Sequence, residues 1–343
     1  MKNQLLKKIF LNNQRQLISQ KIVKWYLNHG RHDLPWRQKI SPYRIWISEI
    51  MLQQTQVKTA IPYFKNFIKK YPTQKKLSEA TEDQILALWS GLGFYRRARN
   101  IFKTKEIIKE EYNNRFPKKF HQLIELPGIG KSTAGAIMSL AYQNPYPILD
   151  GNVKRVITRL VNQKINLLKE NQLWNLSSEF VNAENCFAYT QGIMDLGATV
   201  CTPANPTCKD CPVQNECRSA FNVAINKKRK VAQLKKVIPM NLSLIQTEDS
   251  LLLVKNEVSS IWKNLWIPFE SRSLESYTNN FKLTSSQKIQ HELTHRRLNI
   301  KLNTYISKNE SKIKTNKKYK WIKKDRINEY GLPKPISKVI NEL

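Results

Sequence analysis

The chain has no apolar run approaching the roughly 20 residues needed to cross a bilayer. Its start, MKNQLLKKIF, is basic but has neither a sustained apolar segment nor a small-residue cleavage site. These absences argue against a membrane span and a secretory leader, and a cytoplasmic protein is expected. Acid is scarce, with 26 Asp and Glu against 58 Lys and Arg, for a net charge of +32. A surface of that sign steers and holds phosphate backbones. Lys, Asn and Ile are abundant throughout, however, so the total charge does not locate a partner. Cysteine is sparse as well, yet four of the five, Cys201, Cys208, Cys211 and Cys217, fall within 17 residues. A disulfide framework would be unusual in a cytosolic protein of this size.

With 343 residues the chain can build two domains, each with its own core. From residue 12 to about 222 no strand-like alternation stands out, and short amphipathic segments broken by Pro, Gly and Asn predict helices. "NKKRKVAQLKK", residues 226–236, reads as a basic linker. Beyond it, "VIPMNLSLIQ", "SLLLVKN" and "LNIKLNTYIS" predict an α+β domain with an antiparallel sheet over residues 237–343. The fold class is therefore multidomain, with an all-α region over residues 1–225 followed by the α+β domain.

The cysteine loop, 201–217, has the spacing C-x6-C-x2-C-x5-C with no histidine among its ligands. Four thiolates in one loop can enclose an all-sulfur metal centre. Zinc is the rival, but zinc sites usually pair two C-x2-C knuckles and only Cys208 and Cys211 form one, so an iron–sulfur cluster is favoured. Cys186 lies outside this spacing and is expected to be an inert buried thiol.

"LPGIGKSTAGAI", residues 126–137, predicts a hairpin between helices, spanning about 121–140. Pro127 with Gly128 and Gly130 makes a tight turn whose backbone N–H groups can approach a phosphate, and the small residues Ala134, Gly135 and Ala136 open a helix whose N-terminus favours an anion. That arrangement suits a sequence-independent grip on a DNA backbone. In "ILDGNVKRVITRL", residues 148–160, Asp150 or Asn152 can cap a helix that buries Val153, Val156, Ile157 and Leu160. In "WISEIMLQQTQV", residues 46–57, Glu49 sits among apolar residues, where its pKa should rise and the group could serve as a general acid. The plain alternative is a helix-surface glutamate. Gln53 and Gln54 can bond base edges or be ordinary exposed residues. "GLGFYRRARN", residues 91–100, supplies arginines for phosphates, among them Arg97, and aromatics, Phe94 and Tyr95, that can wedge into a base stack. Trp89 reads as core.

Taken together, LPGIG, ILDGNVKRV and the cysteine loop resemble the helix-hairpin-helix DNA glycosylases that carry an iron–sulfur cluster. "SEIMLQQTQV" and "LGFYRRARN" resemble the adenine-specific branch of that family. The likeness is close over about residues 15–220 and looser beyond. It implies a monomeric enzyme of base excision repair, associated with the nucleoid through DNA, that hydrolyses the N-glycosidic bond of adenine opposite 8-oxoguanine or guanine in duplex DNA. It implies Glu49 as the acid that protonates N7 of a flipped adenine and Asp150 as the carboxylate that stabilises the oxocarbenium-like sugar. Asn152 would orient this chemistry, and the four cysteines would hold a [4Fe–4S] cluster. Two carboxylates in different environments agree with what glycosidic cleavage generally uses.

The competing branch, resembling endonuclease III, cleaves oxidised pyrimidines with a lyase step and has a catalytic lysine where this chain has Ser132. Serine cannot form a Schiff base, so a monofunctional glycosylase is implied. Lys131 matches a backbone-contacting position and Lys154 is expected as a phosphate contact. The C-terminal region resembles a Nudix-like module that reads 8-oxoguanine, with no Nudix hydrolase carboxylate cluster. Its Leu293-Thr294-His295 stands where the family often has Phe-Ser-His, and Phe94 stands where tyrosine is frequent. Thr294 and His295 keep the hydroxyl and the imidazole, so 8-oxoguanine preference is expected in weakened form.

Overall fold

The computed structural model describes residues 11–222, 235–259, 261–271, 281–310 and 318–343. Most of the linker expected at 226–236 lies outside the described residues. The chain forms two compact units that do not follow chain order: residues 1–78 with 103–229, and residues 79–102 with 230–343.

The first unit is helical. Its elements are α1 (Asn12–His29), α2 (Pro42–Leu52), α3 (Val57–Lys70) and α4 (Gln74–Leu77). After α5 (Glu82–Leu88), which belongs to the second unit, α6 (Arg96–Tyr112) returns to the first partway along its length. Then follow α7 (Phe120–Glu125), α8 (Lys131–Ala141), α9 (Gly151–Leu160), α10 (Glu170–Glu179) and α11 (Cys186–Asp195). α1 packs on α11, and α2 packs on both α3 and α8. α2 begins where sequence chemistry starts it: Ser41 accepts a 3.2 Å hydrogen bond from the Arg44 N–H, and Pro42 occupies the first turn, where no donor is lost. Ile45, Trp46, Ile47, Ile50 and Met51 then bury nearly its whole circumference, a pattern that places a helix inside a unit and not on its surface.

Among the described residues the second unit carries a seven-stranded sheet made of β1 (Lys236–Gln246), β2 (Ser250–Lys255), β3 (Trp266–Ile267), β4 (Phe269–Glu270), β5 (Lys282–Glu292), β6 (Arg296–Ile306) and β7 (Tyr319–Lys323). The strand order is β3-β2-β1-β6-β5, with β4 also on β1 and β7 also on β2. The antiparallel expectation fails at one pair. β1 and β6 run parallel in register from Lys236↔Arg296 to Gln246↔Ile306. Alternation along one strand reports which face is buried but not the direction of its neighbour, so this pairing could not be read from it. β6 shows the alternation, with Leu298, Ile300, Leu302 and Thr304 buried between Arg297, Asn299 and Lys301. Ile245, Leu252, Phe269 and Phe281 form a core cluster, and the Phe269 and Tyr319 rings stack 5.3 Å apart. A last helix, α12 (Lys334–Ile340), buries Ile336, Val339 and Ile340.

Candidate active site and cysteine cluster

The hairpin is formed as read. α7 and α8 are joined by residues 126–130, and Gly128 adopts φ +83°, a left-handed conformation that strains any side-chain-bearing residue. Thr104 donates to the Pro127 carbonyl at 2.8 Å and holds the turn from below. Gly128, Gly130 and Lys131 face solvent.

α8 also sets the position of Asp150. At Gly135 an added Cβ would lie 2.3 Å from the Pro147 carbonyl oxygen, so only glycine lets the 147–149 segment lie this close. The Leu149 N–H donates to the Ser132 hydroxyl at 3.0 Å, and Ser177 donates to the Ile148 carbonyl at 2.7 Å. Held from two helices, the chain delivers Asp150 to the start of α9. Its carboxylate caps that helix by accepting from the Val153 N–H at 2.7 Å. Val153, Val156, Ile157 and Leu160 are buried as their spacing predicted. Lys154 is half-buried on the same helix.

Glu49, half-buried on α2, and Asp150 line one cavity of about 400 Å³ within the first unit. Gln53, Gly130, Ser132 and Asn152 line it as well, so six of the residues singled out from sequence meet there. Gln54 is exposed in the turn beyond α2, in a left-handed conformation at φ +56°. Burial pushes the Glu49 carboxyl up to about 7, the Asp150 charge adds to the rise, and Arg37 opposes it. A carboxyl so placed keeps its proton close to neutral pH while a second carboxylate faces the same space.

Sequence reading missed three charged residues of this region. Asp195, at the end of α11, is 0% exposed and accepts hydrogen bonds from Arg31 (2.9 Å from Nε) and Arg37 (2.7 Å from Nη1). Burial alone would raise the Asp195 carboxyl, and the two guanidiniums outweigh it and hold it below its ordinary value. Arg31 and Arg37 both line the cavity. The available signal was "GIMDLGATV", a lone acid in an apolar run, the same signature that drew attention to Asp150.

α9 connects this site to the cysteine loop. Arg155 donates to the Asn152 side-chain oxygen and the Cys201 carbonyl, each at 2.8 Å, and to the Gly197 carbonyl at 2.6 Å. One turn on, Arg159 donates to the Cys201 sulfur at 3.3 Å and to the Thr202 carbonyl at 2.7 Å. Cys201, Cys208, Cys211 and Cys217 line one small pocket of about 30 Å³ with Val200 and Pro206. Burial pushes the Cys211 thiol up to about 12, and the charges of Cys201, Cys217 and Cys208 add to that rise. No three His, Cys, Asp or Glu side chains among the described residues are grouped closely enough to form a finished metal site. The chemistry of the donor set, four thiols with no competing imidazole, fits an all-sulfur centre. Cys186 is buried apart from them, with its thiol donating to the Ser139 carbonyl at 3.6 Å.

In the second unit, Thr294 and His295 form the exposed tip between β5 and β6, closed by a 2.8 Å bond from the Leu293 N–H to the Arg296 carbonyl. Phe94 is 45% exposed and Tyr95 is half-buried. Arg97, expected as a phosphate contact, is drawn inward. It is only 7% exposed, its guanidinium lies between the rings of Trp89 and Phe94, and it donates to the Gly93 carbonyl at 3.2 Å. A planar cation is easily desolvated against aromatic faces, which draws it inward.

The hairpin and the two carboxylates of the cavity all lie within the region matched by one family of base excision repair proteins. The family model for the HhH-GPD superfamily base excision DNA repair proteins matches residues 47–176, and the model for the NUDIX domain matches residues 241–342. The adenine DNA glycosylase of Buchnera aphidicola subsp. Schizaphis graminum (strain Sg) is 40% identical over 344 residues, covering 94% of this chain and 98% of that protein. The adenine DNA glycosylase of Homo sapiens is 38% identical over 214 residues, covering 59% of this chain and 39% of that protein. Among solved structures, a thermostable thymine-DNA glycosylase is similar with TM-score 0.57 at 27% identity, covering 62% of this chain and 99% of that one. The chain belongs to the adenine DNA glycosylase family.

Proposed function

We propose that this chain hydrolyses the N-glycosidic bond of adenine opposite 8-oxoguanine or guanine in duplex DNA, as a monofunctional glycosylase. The observation that carries the reading is the pairing of Glu49 and Asp150 across one cavity. Protonated Glu49 gives its proton to N7 of an adenine flipped into the cavity. The C1′–N9 bond then breaks with its electron pair leaving on the base, while Asp150 stabilises the positive charge that develops on the sugar. Water adds at C1′ and its proton returns to Glu49, which restores the acid. Asn152 holds its place beside Asp150 through its bond to Arg155.

Ser132 is occupied by the Leu149 N–H and has no amine, which favours simple hydrolysis over a lyase step. Gly128, Gly130, Lys131 and Lys154 grip phosphates, Gln53 and Gln54 approach bases, Phe94 addresses the stack with Tyr95 supporting it, and Thr294 with His295 reads the opposite base. Cys201, Cys208, Cys211 and Cys217 would hold a [4Fe–4S] cluster, which when bound ties the loop into one rigid DNA-facing body. The protein acts as a monomer on nucleoid DNA, with residues 1–225 supplying the glycosylase chemistry and 237–343, which share a compact unit with residues 79–102, as the Nudix-like reader.

The test is a single-turnover assay on duplexes carrying adenine opposite 8-oxoguanine, with oxidised thymine duplexes in parallel. Adenine release without strand cleavage is expected. Release of oxidised pyrimidine with strand cleavage, and none of adenine, would overturn the reading.

A further inference from the structure

Residues 79–102 form one compact unit with the C-terminal domain. The contacts that bind them are specific. α5 opens with a capping box in which the Thr81 hydroxyl accepts from the Gln84 N–H at 3.2 Å and the Gln84 side chain accepts from the Thr81 N–H at 3.1 Å. Its first turn then meets the C-terminal domain: Asn264 donates to the Glu82 carboxylate at 3.1 Å, and Lys255 pairs with Asp83 at 3.1 Å. Gly331 leaves room for Leu86, since a Cβ there would lie 2.5 Å from the Leu86 Cβ. Farther along, Arg99 donates to the Lys263 carbonyl at 2.9 Å.

Between these anchors the chain makes a tight turn in which Gly91 (φ +94°), Gly93 (φ +78°) and Phe94 (φ +49°) all adopt left-handed conformations. Phe94 has no glycine-like freedom there, so its surroundings must hold it in place. Two sets of contacts do so. Arg97 lies beneath the Phe94 ring, 5.5 Å from its centre, and against fully buried Trp89 at 5.4 Å, while the Trp89 Nε1 donates to the Gly93 carbonyl at 3.0 Å. In addition, the Ser90 hydroxyl and the Tyr95 hydroxyl both donate to the carbonyl of Leu332, at 3.0 and 3.2 Å. One C-terminal backbone oxygen thus takes a bond from each side of the turn.

We propose that the Leu332 carbonyl, through Ser90 and Tyr95, makes the C-terminal domain the mount that positions the Phe94 ring for insertion into the base stack. This rests on the glycosylase reading, in which Phe94 meets DNA. Entering a stack costs unstacking energy, and a ring already held in its inserting conformation does not add the cost of ordering itself. Ser90 and Tyr95 are positioning residues. Tyr95 acts through its hydroxyl, a role its ring alone would not show in the sequence.

The test uses the full chain with Ser90→Ala and Tyr95→Phe combined, beside Phe94→Ala and the triple variant. Amide hydrogen exchange in the free protein should rise by roughly tenfold or more across residues 91–97, the scale expected for two lost side-chain hydrogen bonds. Fluorescence of 2-aminopurine beside the mispair, which reports unstacking, should fall in the double variant. In the Phe94→Ala background the Ser90 and Tyr95 substitutions should add nothing, because positions acting through one ring are not additive. If the double variant unfolds, Tyr95→Phe alone gives the same readings in the folded state. Unchanged exchange at 91–97 would overturn the mount. A full additional loss of unstacking in the Phe94→Ala background would show that the two hydroxyls act elsewhere and overturn it too. If Phe94→Ala leaves unstacking intact while adenine is still released, the wedge and this proposal fall together, and the glycosylase reading stands.

Discussion

Asn152 and Cys201 are joined by one guanidinium: Arg155 donates 2.8 Å hydrogen bonds to the side-chain oxygen of the first and the backbone carbonyl of the second. The residue two places beyond Asp150 and the first cysteine of the loop therefore share a single rigid partner on α9. Replacing Arg155 with methionine keeps much of the stem and removes the donors. Unfolding in urea should show a loss of roughly 2–3 kcal/mol, the scale of charge-assisted bonds left unmade, and the purified variant should retain less iron. Full stability and full iron content would show that the link carries no energy.

Glu49→Gln removes the proton donor while keeping the shape of the side chain. Single-turnover adenine release should fall by roughly 10²–10⁴-fold, the usual worth of general acid catalysis. Affinity for the same duplex should remain, because Glu49 lines the cavity and is not one of the basic groups facing phosphates. Equal loss of binding would instead make Glu49 a structural residue.

The raised Glu49 pKa gives two signs to check. The acid must carry its proton, so the rate of adenine release should decline as pH rises through about 7. Stability follows the same group: the folded state binds the proton more tightly than the unfolded chain, so stability falls as pH rises from the ordinary value of 4.5 to about 7 and levels off above it. Glu49→Gln should therefore be more stable than the parent at pH 8, by on the order of 3 kcal/mol, and close to it at low pH. Thermal unfolding of both proteins at the two pH values decides this, and a constant difference across pH would count against it.

Gly135→Ala places a methyl group where the Pro147 carbonyl now lies, at 2.3 Å. The 147–149 segment must move, and Asp150 with it. A stability loss of roughly 1–3 kcal/mol is expected, with a loss of adenine release larger than that loss explains at a temperature where the variant is folded. An unaffected rate would mean that Asp150 does not depend on this contact.

Cys208→Ser should abolish the visible absorbance of an iron–sulfur centre, whereas Cys186→Ser, a change at a buried thiol outside the pocket, should leave it. A colourless parent protein containing zinc would refute the cluster.

Much of this protein is legible along the chain because the signals are local. The cysteine spacing, the glycine that a left-handed turn requires, the cap at Asp150 and the apolar periodicity of α9 depend on residues a few positions apart. The sequence by itself determined which chemical groups are present and which helices and strands would carry them. Only the tertiary structure decided what each group faces. It set Glu49 opposite Asp150, drew Arg31 and Arg37 onto Asp195 across the first unit, turned Arg97 inward, ran β1 parallel to β6 and assigned residues 79–102 to the C-terminal domain. The physical reason is that burial and charge pairing act between atoms close in space, and the depth of a cavity or the direction of a neighbouring strand is not carried by the spacing of residues along the chain.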